Sequence, residues 1–159
     1  MNLHRMLVER QIMGKPLRVG MIGAGKFGSM YLAQARRTPG IHLVGLADLS
    51  VSRALDAFKT TGWAAERYSA KSLDEAARTG GTHVCDDADA LISCSAIEII
   101  VEVTGNPLAA VRHAVRAFAA KKHVINVRSK RMRSAGRSFR ERLPRRAWST
   151  ASPMVTSRH

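Results

Sequence analysis

A glycine-rich turn placed between a strand and a helix limits what this chain can fold into more than any other feature. Leu17 to Ile22 is an apolar run of strand length that stops at glycine, and Gly23-Ala24-Gly25-Lys26-Phe27-Gly28 follows it. From Phe27 to Arg37 the pattern becomes helical, with Tyr31, Leu32 and Ala35 at helical spacing, until Thr38-Pro39-Gly40 closes it. A second apolar run, Ile41 to Ala47, ends at Asp48, 20 positions beyond Gly28. Strand, GxGxxG, helix and acid in this order form the fingerprint of a dinucleotide site. Gly23 permits the tight turn, Gly25 lets the backbone approach a pyrophosphate, and Gly28 lets helix and strand pack closely. The free N–H groups and positive dipole end of the helix hold the phosphates, and Asp48 accepts hydrogen bonds from the adenosine ribose.

A phosphate-binding P-loop competes for the same residues, since Gly20 to Lys26 fits the first seven positions of GxxxxGK[ST]. The next position must be Ser or Thr to hold magnesium, and here it is Phe27, which cannot. Gly20 also falls inside the strand, so a nucleotide triphosphatase is rejected.

Beyond Asp48 the alternation continues. Ser50 caps a helix over about Val51 to Thr60, and Thr61-Gly62 breaks it. Ser72 with Glu75 makes a capping box for a short helix through Ala77, while the rest of Trp63 to Gly81 carries no clear period. Thr82–Cys85 reads as a third strand, Asp87–Ser93 as a short helix, Ile97–Val103 as a strongly apolar fourth strand. Pro107 suits the first turn of a helix over Leu108–Ala120, and His123–Val127 gives a fifth strand. Such alternation implies right-handed crossovers. The expected fold is α/β, a Rossmann-type doubly wound parallel sheet of order 3-2-1-4-5 with an irregular basic tail. The divisions are residues 1–16, an N-terminal helix and linker; 17–127, the NAD(P)-binding domain; and 128–159, the tail.

The formal net charge of +14 raises the question of a nucleic-acid partner. Its distribution answers against one for the domain: residues 1–127 hold 16 Lys/Arg against 11 Asp/Glu, whereas 128–159 hold 10 against Glu141 alone. The tail reads in three ways: a frameshifted or artefactual stretch, a disordered basic tail, or a nucleic-acid-binding arm in which only Phe139 and Trp148 offer stacking surfaces. Nucleic acid is not the expected partner. Cys85 and Cys94 lack CxxC spacing and the six histidines lack ligand spacing, so neither a disulfide framework nor a metal site is expected. No apolar stretch approaches the ~20 residues a membrane span needs. The start of the chain lacks an apolar h-region and reads as a short helix packing Leu3, Met6 and Leu7 on the domain. Cytoplasmic location is the expectation.

The segments RVGMIGAGKFGSMYLAQ, GLADLS, and IIVEVTGNP leading to KKHVINV make the chain resemble the nicotinamide-binding domain of homoserine-dehydrogenase-like oxidoreductases, relatives of the glucose-fructose oxidoreductase type. The resemblance covers about residues 3–127. It implies that Thr104-Gly105-Asn106 lies along an NAD or NADP cofactor toward the nicotinamide, with Asp48 favouring NAD while Arg53 stands within reach of a 2′-phosphate. A plain turn into the Pro107 helix remains the alternative for that loop. Glu102 is either polar lining of the same crevice or a paired strand-end carboxylate. Members of this superfamily place a catalytic lysine or other polar residue after the fifth strand and then add a substrate domain. Here Arg128-Ser129-Lys130-Arg131 follows, and Lys130 is not promoted on position alone; no catalytic residue is assigned. Written with permitted codons and read one nucleotide earlier, Ala147 to Arg158 can yield LEYSLAYGDQP, which resembles this family's continuation, hence the expected frameshift near residue 128. The expectation is a truncated NAD(P)-binding portion of a hydride-transferring oxidoreductase, inactive as it stands. Its expected partners are the dinucleotide, a small-molecule substrate in the full-length relative, and further copies of itself in a homo-oligomer. The alternative is a non-catalytic regulatory Rossmann protein with a basic nucleic-acid-binding tail.

Overall fold

Strands and helices alternate through residues 2–127, the part that this computed structural model describes. They are α1 (Leu3–Ile12), β1 (Leu17–Ile22), α2 (Lys26–Ala35), β2 (Ile41–Ala47), α3 (Val51–Thr60), α4 (Leu73–Thr79), β3 (His83–Cys85), α5 (Ala88–Ser93), β4 (Ile99–Glu102), α6 (Pro107–Ala119) and β5 (His123–Asn126). Every strand pairing is parallel, and the order is β3-β2-β1-β4-β5, as the alternation predicts. The chain winds outward from β1 to β3 and then returns to lay β4 on the other side of β1. The resulting crevice at the C-terminal ends of β1 and β4 is where sheets of this kind bind ligands. The expectations for the basic tail and for Lys130 fall on residues 128–159, outside the described residues.

The two faces of the sheet bury different sets of side chains. On one face Met21, Leu32, Leu46 and Val101 surround Phe58. Tyr68 stacks on Phe58 at 4.7 Å between ring centroids, and Trp63 meets it edge-on at 5.2 Å. Burying a phenyl ring of this kind is worth about 2–3 kcal/mol. On the other face Leu91 of α5 lies against both Gly20 and Gly45, where a Cβ on either strand glycine would collide with it. Bare backbone in two neighbouring strands therefore makes the seat for a helix of only six residues.

Several local expectations need correction. Of the three residues expected to pack α1 on the domain, only Leu7 is buried; Leu3 and Met6 stay exposed. Polar ties do the rest: Gln11 Oε1 accepts from Gly40 N at 2.6 Å, and Arg10 bonds Glu98 at 3.1 Å. Ser72 caps α4 through Glu75 N as expected, but the Glu75 carboxylate reaches Lys71 N instead of closing the box on Ser72. The fourth strand is shorter than its apolar run. Ile97 N bonds Cys94 O in a turn, and Lys122 Nζ takes Ile97 O at 2.7 Å, so ladder pairing begins only beyond it.

Candidate functional site

The apolar run of β1 must end where the chain turns into α2, and Gly23 makes that turn at φ +106°. Its N–H donates to Ala47 O at 2.8 Å, tying the turn to the end of β2. A Cβ there would stand 2.8 Å from Thr104 N, so the turn and the loop after β4 touch backbone to backbone. Gly25 is the N-cap of α2 and offers no side-chain hydrogen bond. First-turn amides of this helix thus lack the partner that Ser or Asp would supply. Among the described residues nothing lies within 4 Å of where a Cβ on Gly25 would point. At Gly28 a Cβ would come 2.5 Å from Gly23 O, so this glycine serves the contact between helix and turn.

Asp48, at the end of β2, is buried and bonded by three donors of its own chain. Its Oδ2 accepts from Ala24 N at 2.6 Å. Its Oδ1 accepts from Ser50 N at 2.8 Å and from Arg53 Nη2 at 2.6 Å. The carboxylate therefore joins the glycine turn, the entry to α3 and an arginine that is itself 59% exposed. After β4, Thr104 Oγ1 accepts from Asn106 N, and Asn106 Oδ1 caps α6 through Leu108 N and Ala109 N.

These pieces enclose a hollow of about 660 Å³, within the range of about 300–1,000 Å³ usual for ligand sites. Gly23, Gly25, Asp48, Arg53, Thr104 and Asn106 line it. So do Asp86 and Asp87 before α5, Asp89 within it, and Arg112 and His113 of α6. A larger hollow, about 760 Å³, opens at the opposite end of the sheet among Arg36, Arg37, His42 and Arg67. It lies away from the glycine turn and from the strand C-termini, so the smaller hollow is the candidate site.

Residues 17–126 match the family described as "Oxidoreductase family, NAD-binding Rossmann fold", GFO_IDH_MocA. The chain belongs to this family. No curated protein sequence matches significantly. Among solved structures the chain is similar to biliverdin reductase from Synechocystis sp. PCC 6803 in complex with biliverdin and NADP+, with 21% identity and a TM-score of 0.57 over 79% of this chain and 34% of that one. It is similar also to myo-inositol dehydrogenase from Lactobacillus casei in complex with NAD(H) and myo-inositol, with 17% identity and a TM-score of 0.54 over 70% of this chain and 28% of that one. At these identities the likeness is one of fold. The chain spans about a third or less of the length of the structures it matches.

In this family member the residues singled out by sequence do not all meet. Gly23, Gly25, Asp48, Thr104 and Asn106 line the hollow together. Ala24 and Gly28 are buried behind it, and Lys26 and Phe27 are exposed on the first turn of α2. Gly105 is exposed at the tip of its loop, with φ +72°. The lining residues from α5 and α6 were not singled out. Arg112 and His113 sit seven or so positions beyond Asn106, two turns along α6, and helical spacing with Ala110, Ala114 and Ala117 places His113 on the buried face. That spacing was the available signal. Of the two roles open for Glu102, the structure shows a buried strand-end carboxylate whose Oε1 lies 3.5 Å from His113 Nδ1.

Proposed function

We propose that this hollow holds a nicotinamide dinucleotide and that the chain is the cofactor-binding part of an enzyme passing hydride between the nicotinamide and a carbonyl or alcohol. The observation that carries it is the uncapped first turn of α2, where among the described residues nothing lies near a Cβ on Gly25, with a buried carboxylate at the end of the next strand. Gly23, Ala24, Gly25, Lys26, Phe27 and Gly28 shape the phosphate cradle, in which α2 amides bind the pyrophosphate. Asp48 orients the adenosine ribose, and Thr104-Gly105-Asn106 runs along the cofactor toward its nicotinamide. When bound, the dinucleotide supplies the hydride chemistry; the protein supplies position and electrostatics.

NAD is the preferred cofactor in this reading, because a buried carboxylate at Asp48 favours a 2′-hydroxyl over a 2′-phosphate. Arg53 works in the other direction. The neighbours do not decide between them, since one carries NAD(H) and the other NADP+. The homoserine-dehydrogenase-like assignment rests on the sequence segments alone; inositols and biliverdin are the ligands of the neighbours. Calorimetric titration of the full chain with NAD(H) and NADP(H) tests the proposal. Saturable binding with NAD(H) tighter is expected. Clear preference for NADP(H) would show that Asp48 does not govern the choice, and absence of binding by a folded chain would end the reading.

A further inference from the structure

Glu102 is 1% exposed at the end of a central strand, a place where a carboxylate is costly unless partnered. Its Oε1 accepts from Thr104 N at 3.3 Å and stands 3.5 Å from His113 Nδ1. His113 is itself buried on α6, and among the described residues its Nδ1 is a buried side-chain nitrogen with no hydrogen-bond partner. Donor and acceptor face each other a few tenths of an ångström beyond bonding length.

The pair closes a circuit. Glu102 holds Thr104 N, Thr104 Oγ1 holds Asn106 N, Asn106 Oδ1 caps α6, and α6 brings His113 back to Glu102. Thr104 in turn lies against the backbone of Gly23, so a shift of this loop is felt at the glycine turn. His113 also lines the hollow.

We propose that Glu102 and His113 form a proton-linked clasp that fixes the Thr104–Asn106 loop against the glycine turn and so sets the shape of the ligand hollow. Both are positioning residues. Its effect on cofactor affinity rests on the dinucleotide reading above; the clasp itself does not. When the imidazole carries a proton, attraction to the buried carboxylate draws Nδ1–H into a charge-assisted hydrogen bond and tightens the loop. When it is neutral, that attraction is lost and the loop loosens.

Imidazole is the side-chain class that changes charge between about pH 5 and 8, and the other charged side chains near His113 are carboxylates and guanidiniums. Asp86 and Asp87 precede α5, which supplies Asp89. The Asp89 carboxyl is held below the usual carboxylate range by its hydrogen bond from Arg116, with Arg112 and His113 adding to the effect. Arg112 and Arg116 share α6 with His113, and Arg53 lines the same hollow. Carboxylates and guanidiniums as classes keep their charge over that range. Beside Glu102 the sheet offers Ile22 of β1 and Asn126 of β5, neither titratable.

The test follows the full chain by NMR, without ligand, from about pH 5 to 8, in the wild type and in the variants Glu102→Gln and His113→Asn. The Thr104, Gly105 and Asn106 amide signals should move in step with the His113 ring signals in the wild type and stay still in both variants. Calorimetry should show NAD(H) affinity falling roughly tenfold across the range in the wild type, the worth of one charge-assisted hydrogen bond, and flat in Glu102→Gln. Loop amides that ignore the imidazole titration in the wild type overturn the clasp, and that result needs no variant to fold. Equal pH profiles for wild type and a folded Glu102→Gln also overturn it. Failure of NAD(H) to bind would sink the cofactor reading instead, while the amide titration still decides the clasp.

Discussion

Two glycines three positions apart in one motif should fail in opposite ways when given side chains. At Gly25 the backbone is extended, with φ −72° and ψ −167°, and nothing among the described residues lies within 4 Å of a Cβ. Gly25→Val therefore costs only the difference between glycine and valine at an N-cap, about 1 kcal/mol, or a few degrees in Tm. The branched side chain does fill the space that a pyrophosphate needs. Two charge-assisted hydrogen bonds from α2 amides, at about 1.5–3 kcal/mol each, are then lost, which is a weakening of at least about a hundredfold. At Gly28 a Cβ meets Gly23 O at 2.5 Å, a backbone atom held by the turn on either side. Gly28→Ala should cost about 1–3 kcal/mol of overpacking, and Tm should fall by roughly 5–15 °C. Calorimetric titration with NAD(H) and thermal unfolding of each variant give the two columns of the comparison. A well-folded Gly25→Val that binds with wild-type affinity refutes the phosphate cradle. A Gly28→Ala as stable as the wild type refutes the packing role.

Arg53→Ala removes the cation beside Asp48 Oδ1; NADP(H) should weaken by about tenfold while NAD(H) does not weaken, and equal losses in parallel titrations would contradict the assignment. Lys122 Nζ donates to Cys94 O and Ile97 O, so Lys122→Met should cost about 2 kcal/mol in urea unfolding, and an unchanged midpoint would show that those carbonyls find other donors. Partial burial pushes the Glu98 carboxyl up, but Arg18 N and the Arg10 guanidinium outweigh it and hold it below its ordinary 4.5. A carboxyl depressed in the folded state contributes stability that is present above pH 4.5 and lost as pH falls through the folded value. Urea midpoints between about pH 3 and 6 should thus fall more steeply for the wild type than for Glu98→Gln; parallel curves would rule the contribution out.

Strand limits and caps were legible because each has a local chemical cause. β1 ends at a glycine turn and β2 at an aspartate, and both have the expected bounds. Ser50 and Ser72 cap their helices through side-chain oxygens. Strand order followed from alternation and handedness. What stayed hidden depends on contacts between distant segments. Trp63 and Tyr68 lie in a stretch without periodicity, and only the folded chain brings them around Phe58. Glycines within β1 and β2 carry no sign that Leu91, dozens of residues later, will cover them. For the site, the motif gave the glycine turn and Asp48, but not that Arg53 and Ala24 already hold that carboxylate. Helical spacing carried a signal that His113 lies on the buried face of α6, but not that it faces Glu102, since spacing within one element says nothing of the neighbour across it.

The three donors on Asp48 have a consequence in simple valence counting. A carboxylate offers about four lone-pair sites. Among the described residues Ala24 N occupies one on Oδ2, while Ser50 N and Arg53 occupy two on Oδ1, leaving a single vacancy on Oδ2. In the proposed reading, a ribose with two free hydroxyls would fill that vacancy with one and compete with the arginine through the other. A ribose bearing a 2′-phosphate would also fill it with one hydroxyl, but would draw the arginine away with its own charge. Either ligand would then shift Arg53 from the carboxylate. Discrimination at such a site comes from the new home that each ligand gives the guanidinium.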